Sequence, residues 1–271
     1  MRSNPQGIAA SWYASGITDG EEVHLSGKSA RSARRGRKSE NGVITARPCL
    51  KVSGTGSGLQ PLRLAKKRDG VIYVPETHDS TRPGPVVLML HGAGANAHDA
   101  IQPFRRQADI HGVVLVAPEA RSGEWDLMDG GFGADVDFID HALTRAFELC
   151  AIDPKRVAIE GFSDGASYAL SLGLRNPDLF THVIAFSPGF MAIPSGSPSQ
   201  KVFVAHGSSD VVLPAARCSH RIVARLKEKG YRVTYRQFPG GHQVPIDVAA
   251  EAISWLLTDE TALSLRAERD G

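Results

Sequence analysis

Cysteine is scarce in this chain: Cys49, Cys150 and Cys218 are the three in 271 residues. So small, odd and scattered a set argues against a disulfide framework. No Cys-x-x-Cys or His-Glu-x-x-His spacing occurs, so a structural or catalytic zinc site is not indicated. Net charge is also low, formally +2, so no global field marks a polyanion binder and no nucleic-acid partner is expected. No apolar run has the length needed to cross a bilayer. The N-terminus lacks the basic-then-apolar order of a secretory signal, and a cytoplasmic setting is the default expectation.

Residues 1–60 are poor in periodic apolar residues and rich in Ser, Gly and Arg, as in "GKSARSARRGRKSENG". Such a segment buries too little to offset the entropy of ordering it, so a flexible basic tail is expected before one catalytic domain at 61–271. The alternatives for the tail are a basic arm for nucleic acid or a targeting peptide. "SGKS" at Ser26–Ser29 resembles the end of a phosphate-binding loop, but Glu22 stands where that motif needs its first glycine.

After residue 61 the rhythm changes. "LRLAKK" and "VIYVP" flank the Asp-Gly of "RDG", which predicts an antiparallel pair. "PVVLMLH", "VVLVAP", "RVAIEGF", "HVIAFSP" and "KVFVAHG" are apolar runs of strand length, and "YRVTYRQFP" reads as a last strand. Amphipathic stretches lie between them. "HDAIQPFRRQADIHG" reads as a helix running through Pro103 and ended by Gly112, and "ADVDFIDHALTRAFELC" has helical spacing at Val136, Ile139, Leu143 and Phe147. Apolar strands alternating with helices predict an α/β fold with a mostly parallel sheet covered on both faces. Ligands of such sheets bind beyond the carboxyl ends of the strands.

Chemistry-bearing residues gather at those ends. In "AIEGFSDGASYAL" a strand must reverse into a helix around Gly161-Phe162-Ser163-Asp164-Gly165, which pushes Ser163 upward at a helix N-terminus. With 28 glycines, Gly-x-Ser-x-Gly also arises by chance; its place between strand and helix favours a nucleophile. His242, in "QFPGGHQVP" after the last strand, is the candidate base, and otherwise a solvated loop residue. Asp210, in "VFVAHGSSDVVLP", is the candidate orienting carboxylate. Its alternative is a turn or cap, and Asp247 is a weaker rival. "LMLHGAGANAHD" supplies glycines after a strand. The N–H groups of Ala93 and Asp164 are the expected oxyanion donors, a plain glycine turn being the alternative. His91 and His206, each before a glycine at a strand end, suit structural hydrogen bonding.

Together "LMLHGAG", "IEGFSDGASYAL", "HGSSDVVLP" and "PGGHQVP" resemble the α/β-hydrolase esterases, and more narrowly the phospholipase/carboxylesterase and polyhydroxybutyrate-depolymerase-like groups. The likeness covers about residues 61–258. It implies the α/β-hydrolase fold, and the roles of nucleophile, orienting carboxylate and base for Ser163, Asp210 and His242, in that chain order; the connections between strands and helices are short, so no large cap is expected. The expected reaction is hydrolysis of carboxylic esters through an acyl-enzyme, with no metal or organic cofactor, and a site left open by the missing lid favours short to medium acyl chains. Thioesterase, phospholipase and peptidase chemistry use the same triad, and a binding protein on a hydrolase fold is the non-enzymatic alternative. Dienelactone hydrolases are similar in fold but would carry cysteine at position 163. Relatives commonly have a small or amide residue where this chain has Asp164, whose carboxylate could bias substrate charge. Trp125, Phe132, Phe190 and Met191 are candidate walls of the substrate pocket, with loop anchoring as the alternative for Phe190 and Met191.

Overall fold

The computed structural model describes residues 38–49, 52–192 and 198–258. Eight strands form one sheet: β1 (Gly58–Pro61), β2 (Gly70–Val74), β3 (Gly84–Leu90), β4 (Val114–Pro118), β5 (Ile152–Phe162), β6 (His182–Phe186), β7 (Lys201–Gly207) and β8 (Arg232–Phe238). Their order is β1-β2-β4-β3-β5-β6-β7-β8. The first two ladders, β1 with β2 and β2 with β4, are antiparallel; the other five are parallel.

The apolar runs are continuous because the central strands are covered twice. In β3, Val86, Leu88 and Leu90 point to one face, and Val87 and Met89 to the other; all five are fully buried. Helices α3 (Ala134–Leu149), α4 (Asp164–Arg175) and α5 (Ser219–Glu228) supply Leu143, Tyr168 and Ile222 to the first face. Helices α1 (Ala97–Ile101), α2 (Arg105–His111) and α6 (Ile246–Leu257) supply Ile101, Ala108 and Ile253 to the second. From β3 the chain steps outward to β4, then returns to place β5 on the other side of β3. The loops after β3 and β5 therefore meet at a point where the winding reverses, the place such sheets keep for ligands.

Two local expectations need correction. The strand expected at "LRLAKK" lies earlier, at Gly58–Pro61. Residues 63–69 instead form a loop: the Asp69 carboxylate accepts the N–H groups of Arg63, Leu64 and Ala65 at 2.7–2.9 Å, which takes those donors from any ladder. The helix expected through Pro103 breaks into α1 and α2, because proline offers no N–H to continue the spiral. Gly112 ends α2 with φ 67°, as expected of a left-handed cap.

The expected boundary at residue 61 falls inside packed chain. Ile44 is buried, and its N–H donates to Asn176 Oδ1 at 2.8 Å. Thr45 and Ala46 donate their N–H groups to Asp140 Oδ1, each at 2.7 Å. Asn176 Nδ2 donates to Gly42 O at 2.8 Å. Residues 42–46 thus strap α3 to the end of α4. Residues 1–37, which hold most of the expected basic tail, lie outside the described residues.

Candidate active site

The turn after β5 holds Ser163 at φ 57°, ψ −116°, just before the first residue of α4. A positive φ strains a residue with a side chain, by about 1–3 kcal/mol, and such strain persists only where the surroundings impose it. Here they do. A Cβ on Gly161 would collide with the backbone of Gly165, and one on Gly165 with the carbonyls of Leu90 and His91. The strand, the helix and the β3 loop thus approach more closely than side chains allow.

The loops after β7 and β8 are latched together in the same way. A Cβ on Gly207 would run into the carbonyls of Gly240 and Gly241. Ser208 N–H donates to Phe238 O at 2.8 Å, and Ser209 N–H to Gly240 O at 2.9 Å. This brings residues 32 positions apart into contact: His242 Nδ1 lies 2.7 Å from Asp210 Oδ2. On the other side of the ring, His242 Nε2 lies 2.8 Å from Ser163 Oγ. The imidazole stands against the Phe162 ring, with centroids 4.7 Å apart.

Asp210 is enclosed by donors. Its Oδ1 accepts the N–H groups of Val212 and Leu213 at 2.9 and 2.8 Å. Its Oδ2 faces both His242 Nδ1 and, at 3.2 Å, His206 Nε2. Burial alone would raise its pKa. The hydrogen bonds from His206, His242 and Leu213 outweigh that and hold the carboxyl below its ordinary range. An ionised Asp210 accepts Nδ1–H, which leaves the Nε2 lone pair of His242 pointing at the serine hydroxyl. Asp247, the sequence rival, is exposed in the first turn of α6.

The β3 loop packs against the serine turn: a Cβ on Gly92 would lie 3.5 Å from Ser163 Cβ. No acceptor engages the N–H of Ala93 or of Asp164 among the described residues. The loop itself is held by His91, whose Nε2 accepts Ala120 N–H at 3.1 Å while Nδ1 lies 2.8 Å from Gly92 O. Both imidazole nitrogens are committed, the structural use expected for this residue. His206 likewise meets Leu213 O at 2.6 Å, but its contact with Asp210 was not foreseen.

The Asp164 side chain corrects another expectation. It is buried, turned inward to accept Trp125 N–H at 3.0 Å, and so presents no carboxylate to a substrate. Burial pushes its pKa well up, against the effect of that hydrogen bond. The pocket candidates also move. Trp125, Phe190 and Met191 are each 1% exposed and belong to the core on the α3–α4–α5 face. Trp125 Nε1–H donates to His91 O at 2.9 Å, so the indole braces the β3 loop. Phe132 packs edge-on against Tyr168. The described cavity beside the site, about 210 Å³, lies on the opposite face. Its walls include Gly92, Ala100, Phe104, Phe162 and Val244, and none of those four aromatic or sulfur side chains.

Glu160 also lines this cavity, and sequence reasoning passed it over. The available signal was a lone acid inside the apolar strand run "RVAIEGF". Among the described residues no group of three His, Cys, Asp or Glu side chains could hold a metal ion.

Residues 63–210, more than half of the chain, match the model of the Esterase family. The chain belongs to the Esterase family. The α/β-hydrolase resemblance read from the motifs is borne out by its relatives. Feruloyl esterase C of Emericella nidulans is 26% identical over 180 residues, 62% of this chain and 66% of that protein. The S-formylglutathione hydrolase of Arabidopsis thaliana is 29% identical over 142 residues, 43% and 50% of the two chains. This chain thus spans two thirds or less of the length of those curated relatives. Among solved structures, esterase PE8 superposes with TM-score 0.54 at 24% identity, covering 76% of this chain and 98% of its own. An S-formylglutathione hydrolase from Staphylococcus aureus gives 0.57 at 14%, covering 69% and 92%. The fold is that of the α/β-hydrolases. No helix among the described residues is long and apolar enough to cross a membrane.

Proposed function

We propose that this esterase-family chain hydrolyses carboxylic esters of short to medium acyl chains by a serine mechanism. The observation that carries the reading is the unbroken relay from Ser163 Oγ through His242 to Asp210, at 2.8 and 2.7 Å. His242 Nε2 takes the Ser163 proton as Oγ attacks the ester carbonyl. Asp210 stabilises the imidazolium that forms. The N–H groups of Ala93 and Asp164 receive the negative charge on the carbonyl oxygen, helped by the N-terminus of α4. His242 then protonates the leaving alcohol. Water enters, loses its proton to His242, attacks the acyl-enzyme and releases the acid. No step calls for a metal or an organic cofactor.

The acyl range follows from size. A cavity of about 210 Å³ is below the usual range for drug-sized ligands and suits a short chain better than a lipid tail. A fluorophosphonate probe and a panel of p-nitrophenyl esters from acetate to palmitate test the reading. Labelling at Ser163 and turnover that declines beyond octanoate are expected. Absence of labelling, or a rate that rises steadily with length past octanoate, would overturn it.

Thioester hydrolysis is the second reading, favoured by the S-formylglutathione hydrolases among the relatives. The triad treats both leaving groups alike, so matched oxygen and sulfur esters of one acyl group decide between them.

A further inference from the structure

The cavity beside Ser163 has an unusual inner wall. Glu160 lies in β5, three residues before the serine. Its register partners in β3 and β6 are Met89 and Ile184, both fully buried. Glu160 is itself 1% exposed, and its Oε1 is buried without a hydrogen-bond partner. Leu90, Ala95, Ala100, Pro103, Phe104, Phe162 and Val244 supply the apolar lining, and no Lys or Arg contributes.

The other polar walls are already committed. Both His91 nitrogens have partners within the β3 loop and at Ala120. Asp99 closes the capping box of α1 through Asn96. Glu160 alone among these lining groups is buried with unspent hydrogen-bonding capacity. Such a group is costly to keep, and native proteins pair it with a ligand or with water where they retain it. Burial without a cationic partner drives its carboxyl far above the ordinary range, so it presents O–H and C=O rather than a carboxylate.

The cavity is walled by residues next to the reacting atoms, though neither Ser163 nor His242 lines it. Gly92 forms part of its wall next to Ser163, and the Phe162 ring separates it from the His242 imidazole.

We propose that this cavity is an acyl subsite, and that Glu160 selects acyl chains bearing a neutral hydrogen-bonding group, a hydroxyl above all, a few carbons beyond the carbonyl. The inference rests on the serine-esterase reading. A hydroxyl both donates and accepts, as a protonated carboxyl does, so the two make a reciprocal pair. An alkyl chain would leave Glu160 unpaired, and a carboxylate-bearing chain would meet Glu160 and Asp99 with no counter-charge.

The test compares kcat/KM, by pH-stat titration, for methyl hexanoate, its 3-, 5- and 6-hydroxy analogues and the 6-amino analogue, in wild type, Glu160→Gln, Glu160→Met and Ala100→Leu. Wild type should favour at least one hydroxy ester over hexanoate by about tenfold or more, as expected where a buried polar group would otherwise lack a partner. Glu160→Gln should keep that preference. Glu160→Met should abolish it and improve hexanoate. If Glu160→Met fails to fold, Ala100→Leu carries the test: it narrows the cavity and should depress all hexanoyl esters while sparing methyl acetate. A wild type indifferent to the hydroxyl, a preference unchanged in Glu160→Met, hexanoyl rates untouched by Ala100→Leu, or a preference for the amino analogue over the hydroxy esters would each overturn the proposal. Fluorophosphonate labelling of Ser163 runs alongside. Labelled enzyme that cleaves hexanoate without hydroxyl preference removes only the subsite; unlabelled enzyme that cleaves no ester removes the hydrolase reading itself.

Discussion

The loop after β7 and the end of β5 each bury a carboxyl group, and they solve the problem in opposite ways. Asp210 receives two backbone N–H groups and faces two imidazoles. Glu160 lies between Met89 and Ile184, with one oxygen unpartnered. Their protons answer accordingly. Asp210 is held below its ordinary pKa, so it contributes stability above its unfolded value near 3.9 and loses it as acid protonates the folded form. Glu160 is raised above its unfolded value, so its ionisation adds no penalty at acid pH, where both states carry the proton. Its penalty grows as rising pH ionises the unfolded chain first. The lesson is that burial alone does not set the charge of a carboxyl. The donors within reach decide it, and a protein chooses them by what the site must do.

Experiments can break or sharpen that contrast. The largest effect belongs to the group the paired carboxylate serves. Ser163→Ala should lower kcat for p-nitrophenyl butyrate by about six orders of magnitude, as loss of a triad nucleophile does. Near-normal turnover would remove this serine from the chemistry. Asp210→Asn should cost about 10⁴-fold in kcat, because an amide no longer fixes the tautomer of His242. An intact rate would mean that the four contacts on Asp210 serve only the fold.

Glu160→Met should act the other way on stability. Removing an unpaired buried carboxyl should raise stability by about 1–3 kcal/mol, read as the urea midpoint at pH 7. A fall would show that the carboxyl has a partner in solution. The smallest effect concerns an intermediate case. Asp126 and Asp135 cap each other's N–H groups at 2.8 and 2.7 Å, and Asp126 also accepts the Tyr168 hydroxyl at 2.8 Å. Burial, then the neighbouring Asp135, pushes Asp126 up to about 6. A raised carboxyl loses its contribution as pH climbs from the unfolded value toward 6, so melting temperature should decline across that interval. Asp126→Asn should flatten the decline by a few degrees, and an unchanged slope would assign it to other groups.

Much of this contrast was hidden in the sequence. The turn at Ser163 was legible because its constraint is local: strand, paired glycines and helix occupy adjacent residues. The identities of Asp210 and His242 were legible from their place after strands, which parallel topology directs to one rim. Trp125, Phe190 and Met191 were not placeable in this way. An apolar side chain near a strand end can face the core or a pocket, and here all three face the core. The strap at 42–46 was overlooked because its period-two pattern, with Ile44 and Ala46 inward and Val43 and Thr45 outward, is four residues long and sits beside a basic run.

The sequence by itself determined the α/β class and the strained serine turn, since each follows from periodicity or from contacts within a few residues, and it marked Ser163, Asp210 and His242 by their places after strands. Only the tertiary structure decided that Asp164 turns inward, that the cavity beside the site lies on the α1–α2–α6 face, and that Glu160 stands unpaired at its wall. Those outcomes depend on which helix covers which face of the sheet and how closely the loops approach. Such distances are fixed by packing between segments far apart in the chain, and no local pattern records them.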